Sequence, residues 1–220
     1  MKNLVKALKL YLKISFNPIV STFGILIMVA LLIAGVLSPE TPESEDYMSM
    51  AVSAGFVQIG IAAVFLTGSV SMARNKCYAS LPFAKALYTA APAVASGAVA
   101  LIYDVAAVTV AALCWSERGL SDILVIAPLN SFMICLAVAC IGKQKLEWVY
   151  LICVMFLAFE EAVLPNISLT AHGLGLPLTV SAVIGALIFV LGMGLTLVIT
   201  DIWWKNCDHT YRSSTYIRNR

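Results

Sequence analysis

Long, continuously apolar stretches separated by short polar segments dominate the chain. A helix needs about 20 apolar residues to cross a hydrocarbon core of about 30 Å, because it rises about 1.5 Å per residue. Six stretches reach that length, and none shows the ten-residue alternation of barrel strands. The pattern predicts six transmembrane helices, at about residues 19–37, 48–72, 86–113, 122–141, 146–164 and 176–200.

Composition agrees with this pattern. Hydrophobic residues make up 61% of the 220 residues, and charged residues make up 12%. A soluble domain is roughly 45–50% apolar and about 25% charged. So few charges do not cover a water-facing surface, which excludes a soluble enzyme and a nucleic-acid-binding protein. The sequence predicts an all-α integral membrane protein with a single transmembrane domain over residues 1–220.

The placement of Lys and Arg predicts how the helices are oriented. With a cytoplasmic N-terminus, all of the 14 basic residues except Arg118 fall on the cytoplasmic side. Basic residues are enriched in cytoplasmic loops of membrane proteins. The first outer loop, by contrast, is acidic. We therefore expect both termini in the cytoplasm and a multi-pass location in the plasma membrane.

A lysine stripe precedes the first predicted span. Its members recur at spacings that place them on one face of a helix, with four apolar residues away from that face. This pattern predicts an interfacial helix over about residues 2–16, whose lysines face anionic lipid headgroups, ended by Asn17-Pro18. A helical basic flank without lipid contacts is the alternative. The stripe consists of Lys2, Lys6, Lys9 and Lys13, and the apolar residues are Leu4, Leu8, Tyr11 and Leu12.

Acidic residues inside predicted spans are candidates for a translocation path. Asp104 falls near the middle of the third span, where a carboxylate is costly unless it is neutral, paired or hydrated. It is therefore either part of an interhelical hydrogen bond or part of a hydrated path. Glu160 and Glu161 fall near the outer end of the fifth span. Membrane-embedded CAAX-type proteases also have a glutamate pair, but this chain lacks the Arg that follows it there, so we expect an acidic pair at the outer mouth.

Motifs for nucleotide or metal binding do not occur in the sequence. It contains neither the G-x-x-x-x-G-K-[ST] phosphate loop nor an H-E-x-x-H metal motif, and none of its six cysteines forms a C-x-x-C pair. We expect the cysteines to be small buried apolar residues and the chain to bind no cofactor. ATP and Mg²⁺ are expected on a separate ATPase subunit, so the chain itself is not an enzyme.

The inner loop between spans two and three carries the most informative motif. It reads M-A-R-N-K-C-Y-A-S-L-P-F-A-K over residues 72–85. This loop resembles the second inner segment of ABC type-2 permeases, where a charged segment, a Leu-Pro element and a following Lys form the coupling helix that docks on the ATPase. The six-span layout is similar to that family over the whole chain. The motif matches at about residues 74–85, with Asn75 where the family usually has a glutamate.

The resemblance implies the membrane subunit of a bacterial ABC exporter. Two copies of an ABC ATPase and a second permease copy, identical or a sister chain, would be its partners. Compact permeases of this family serve exporters of amphipathic peptides such as phenol-soluble modulins, so an amphipathic or lipid-like substrate is expected. A short helix over about 74–81 would contact the ATPase, Pro82 would end it, and the apolar anchor would be Leu81 and Phe83. The expected coupling residues are Arg74, Lys76, Leu81, Pro82, Phe83 and Lys85.

Two alternatives to the exporter stay open. The substrate-binding membrane component of an energy-coupling-factor vitamin transporter also has about six spans and about 200 residues. Such a component favours a pocket with polar and aromatic groups near the outer side, whereas the outer loops here are short. An accessory membrane subunit is the other alternative.

Overall fold

The computed structural model describes residues 2–37, 64–114, 117–143, 145–163 and 174–207. Over these residues the chain forms helices and no strand, as the hydropathy pattern predicts. One 3₁₀ helix, η1, lies between α3 and α4. The bounds are α1 Lys2–Ser15, α2 Pro18–Leu37, α3 over residues 64–74, η1 Lys76–Ser80, α4 Ala84–Tyr88, α5 Ala90–Cys114, α6 Glu117–Cys140, α7 Glu147–Val163 and α8 Leu178–Asn206.

Three of the described helices are long and apolar enough to cross a membrane: α5, the Gly119–Cys140 part of α6, and α8. This confirms the expected class, an all-helical membrane protein. Helix α2 coincides with the first predicted span, and the apolar part of α7, Glu147–Phe159, is shorter. Most of the predicted span at 48–72 lies outside the described residues. The total of six spans and the cytoplasmic location of both termini stay predictions.

The third predicted span is two helices rather than one. Helix α4 ends at Tyr88, Thr89 follows it with φ −107° and ψ −71°, and α5 begins at Ala90. Pro92 lies in the first turn of α5, where the missing N–H costs no helical hydrogen bond. The break at Thr89 lies within the four residues before Pro92, which is where the missing N–H and the ring of a proline disturb a helix.

Helix α6 lies at the centre of the bundle. In α6, 67% of the apolar stretch is buried, whereas the buried share of the corresponding stretch is 33% in α5 and 17% in α8. It runs parallel to α8: Ser121 Oγ lies 2.7 Å from Ser181 Oγ near their first turns, and Lys143 Nζ lies 5.3 Å from the Trp203 ring centroid near their last turns. Helix α6 therefore positions the others, and most of α8 faces outward.

Glycines let α8 approach α6 closely. Pro128 lies inside α6 and has no N–H, so it provides no helical hydrogen bond to the carbonyl of Leu124. Gly185 packs against that carbonyl, because a Cβ added at Gly185 would lie 1.9 Å from the Leu124 oxygen. One added at Gly192 would lie 2.5 Å from the Phe132 ring. Small residues commonly permit such helix contacts in membrane proteins.

Candidate functional site

The predicted coupling segment forms two short helices between α3 and α5. Asn75 follows α3, and its side-chain oxygen accepts a hydrogen bond of 3.2 Å from the Cys77 N–H at the start of η1. Leu81 ends η1 in an extended conformation, as the residue before a proline usually does. The chain turns through Pro82 and then forms α4. The predicted short helix over 74–81 is therefore present as the 3₁₀ helix η1.

The exposed side chains of this segment differ from those that the sequence predicts as contacts for a partner. Leu81 and Phe83, expected as the anchor for a partner, are half-buried and pack against the core of this chain itself. Arg74 and Pro82 are exposed, whereas the side chain of Lys76 lies outside the described part. Any partner therefore meets a mainly polar rim. We call this outer surface, formed by Arg74, Cys77, Ser80 and Pro82, the η1 rim.

Lys85 links α4 to the end of α8. Its Nζ lies 2.7 Å from Asp201 Oδ1, and the Nζ of Lys205 lies 2.7 Å from Asp201 Oδ2. A second contact runs beside this pair, because the rings of Tyr88 and Trp204 stack with centroids 5.7 Å apart. The resemblance to ABC type-2 permeases predicts Lys85 at the ATPase interface. The structure places its ammonium group against the carboxylate of α8.

Lys143 is buried beside the same end of α8. Its ammonium group donates a hydrogen bond to the Ala139 carbonyl, in the last turn of α6, and lies over the Trp203 ring. Positive charge is favourable at the carboxyl end of a helix. Burial nevertheless lowers the pKa of Lys143 from 10.5 to about 8, since the charged form loses its hydration. We call the region of Arg74, Lys85, Lys143, Asp201 and Lys205 the basic end of the bundle.

Helix α1 packs onto this end through one face. Tyr11 is buried, its ring stacks on Phe65 of α3 at 6.0 Å, and its hydroxyl lies 3.0 Å from Ser69 Oγ. Ser69 in turn donates a hydrogen bond to the Val138 carbonyl of α6. The four lysines Lys2, Lys6, Lys9 and Lys13 are exposed on the opposite face. Their contact with lipid headgroups stays a prediction.

The apolar residues that lie away from the lysine stripe divide between two environments. Tyr11 packs against α3, because a helix that contacts the bundle must use one face for that contact, whereas Leu12 faces outward. The exposed large apolar side chains are Val5, Leu12 and Phe16, at 64%, 43% and 66% exposure. On a helix these three lie between the buried face and the lysine stripe.

Asp104 lies inside the contact between α5 and α6. Its side chain is buried, and the Ser131 hydroxyl lies 2.8 Å from each of its two carboxyl oxygens and donates to them. An interhelical hydrogen bond is one of the two roles expected for Asp104. Glu160 and Glu161 occur in the last turn of α7, and their side chains lie outside the described part.

The Asp104–Ser131 contact can be tested with a double-mutant cycle. We expect Asp104→Ala and Ser131→Ala to be coupled by about 0.5–2 kcal/mol, because each change removes the same interhelical hydrogen bond. Thr109→Ala is the matched control: Thr109 is exposed on α5 and donates to the Val105 carbonyl of its own helix. The measurement is unfolding in mixed micelles of increasing denaturing detergent. Energies that simply add for Asp104 and Ser131 would contradict the contact.

Three residues that make important contacts in the structure have little or no signal in the sequence. Lys143 resembles any basic loop residue, and Ser131 resembles any small residue in an apolar span. Asp201 does carry a weak signal, since it stands four residues before Lys205 at the end of a span, the spacing of a helical ion pair.

The prediction that all six cysteines are buried is wrong for Cys77, which is exposed.

No protein-family model, curated protein or solved structure matches this chain. The class that the structure supports is a helical membrane protein with a basic end built from α1, α3, α4, α6 and α8.

Proposed function

We propose that the chain is the membrane subunit of an ATP-driven exporter of the ABC type-2 permease kind. It would sit in a bacterial plasma membrane with both termini in the cytoplasm. Two ATPase subunits would bind ATP and Mg²⁺, and a second permease, identical or a sister chain, would complete the path. Its substrate would be an amphipathic peptide or a lipid-like molecule.

One observation carries this proposal. A short helical segment, η1 with α4, follows α3 and precedes the long apolar helix α5 at the basic end, and it exposes the η1 rim. The segment packs on the bundle through Leu81, Phe83 and the ion pair of Lys85. A surface element that is tied to long helices can pass a partner's movement to them, since packed helices move as rigid bodies.

The composition of the helices supports the substrate class. The described core is apolar, and Asp104 is engaged with Ser131 between two helices. A sugar or amino acid would require several placed hydrogen-bonding groups, whereas an amphipathic molecule gains most of its binding energy from apolar contact. Alternating access would follow from a change in population between inward-open and outward-open arrangements as the ATPases close on ATP.

The η1 rim provides a direct test. We expect the wild-type chain, purified in mild detergent from cells that also express an ABC ATPase encoded beside it, to retain that ATPase stoichiometrically. Arg74→Glu should lower retention at least tenfold, equivalent to about 1.4 kcal/mol, because charge reversal at a rim opposes an acidic partner surface. Arg74→Lys should retain the ATPase.

Lys145→Glu is the matched control for this test. Lys145 is also exposed and basic, but it lies in the turn between α6 and α7, outside the η1 rim. We expect it to bind the ATPase as the wild type does. Recovery of the wild-type chain without an ATPase would contradict the proposal, and tight binding of a vitamin by the chain alone would favour the uptake component.

A further inference from the structure

Helix α8 extends beyond the predicted membrane span at the basic end. The hydropathy pattern predicts an end at about residue 200, whereas α8 continues to Asn206. The extension carries Asp201, Trp203, Trp204 and Lys205, which make the contacts of α8 with its neighbours there. It therefore forms a structural connection between the coupling segment and an otherwise outward-facing helix.

Two contacts connect α4 to this extension. The ammonium group of Lys85 lies 2.7 Å from the carboxylate of Asp201, and the Tyr88 ring stacks on Trp204 at 5.7 Å. Tyr88 also donates a hydrogen bond of 3.0 Å from its hydroxyl to the Met72 carbonyl at the end of α3. Helix α4, which has only five residues, is thus fixed both to α3 and to α8.

The opposite end of α8 is connected to the start of α6. The Ser121 hydroxyl donates to the Leu176 carbonyl at 2.8 Å and lies 2.7 Å from the Ser181 hydroxyl. A helix of 29 residues is about 44 Å long at 1.5 Å per residue. A displacement of its Asp201 end therefore reaches the opposite face of the bundle through one rigid element.

We propose that the Lys85–Asp201 ion pair transmits movement of the coupling segment to α8, which makes Asp201 a positioning residue for transport. This inference rests on the proposed exporter function. The side chains are substantially solvent-exposed, at 56% for Lys85 and 33% for Asp201. Exposed ion pairs contribute little to folding stability. Replacing Lys85 or Asp201 therefore changes the connection between α4 and α8 and leaves the chain folded.

A distance measurement tests the connection without the ATPase. Spin labels at the native, exposed Cys77 and at Val190→Cys, which is 66% exposed in wild type, report the separation of η1 and α8 in liposomes. The half-buried Cys114 and Cys207 are replaced by serine. We expect Lys85→Gln to broaden the distance distribution at least twofold, and the exchange Lys85→Glu with Asp201→Lys to restore the narrow distribution.

Lys205→Gln is the matched control, because Lys205 pairs with the same carboxylate within α8 and does not join two helices. It should leave the distribution narrow. A distribution that Lys85→Gln does not change, or that the charge exchange does not restore, would overturn the proposal.

The second arm measures substrate-stimulated ATP hydrolysis by the reconstituted complex of the chain with its ABC ATPase. Lys85→Gln should retain the ATPase but lose at least four fifths of the stimulation, and the charge exchange should recover it. Full stimulation in Lys85→Gln would overturn the transmission role. Failure of the wild-type chain to bind an ATPase would instead overturn the proposed function, and with it this role, even if the distance arm behaves as expected.

Discussion

Gly185→Ala is expected to destabilise the contact between α6 and α8 strongly. The new Cβ would lie 1.9 Å from the Leu124 oxygen, and this atom belongs to the backbone of α6, so no side-chain rotation relieves the overlap. Overpacking typically costs about 1–3 kcal/mol, and a backbone obstacle places this change at the upper end. We expect loss of monodisperse protein in size-exclusion chromatography and unfolding at lower detergent concentration.

Gly194→Ala provides the control on the same helix. Among the described residues, no neighbouring side chain or other helix comes within 4 Å of a Cβ placed at Gly194, so the added methyl group meets open space there. Alanine is also favoured over glycine in a helix interior by up to about 1 kcal/mol. We therefore expect wild-type or slightly higher stability. Equal destabilisation by both changes would show that α8 does not pack on Leu124 as the structure has it.

Lys143 should make stability depend on pH. Burial lowers its pKa in the folded protein to about 8, whereas the unfolded chain keeps the ordinary value of 10.5. Between these values the unfolded state binds more protons, so the contribution of Lys143 to stability rises as the pH rises. Below about pH 8 both states are protonated and the contribution is constant. The difference of pKa values corresponds to about 3 kcal/mol over the whole interval.

The test compares wild type with Lys143→Met from pH 7 to pH 10. Methionine keeps an unbranched apolar stem and removes the charge, and the subtraction removes the effect of other titrating groups. We expect wild type to gain stability relative to the variant above pH 8, measured by tryptophan fluorescence during unfolding in detergent. Lys145→Met, at an exposed position, should differ from wild type by a constant amount. A pH-independent difference for Lys143→Met would show that its amine is hydrated.

The site could be predicted only in part, for reasons visible in particular residues. The position of η1 was predictable, because a charged turn followed by Leu81-Pro82 interrupts two apolar stretches and proline limits the conformation of the residue before it. The direction of Leu81 and Phe83 was not, since an apolar side chain at a membrane surface can pack on its own chain or on a partner. Only the neighbouring helices decide between these.

The amino-acid sequence by itself determined the class of the protein and the approximate places of the long apolar helices that the structure describes. Apolar length and the scarcity of charge act locally, residue by residue, so they are readable without any contact between distant segments. The tertiary structure decided which polar groups meet. Lys85 with Asp201, and Asp104 with Ser131, are joined across 116 and 27 positions of the chain because α4 lies against α8 and α5 against α6. Such pairs depend on how helices pack, and packing follows from the shapes of whole faces, such as the groove that Gly185 leaves for the Leu124 carbonyl.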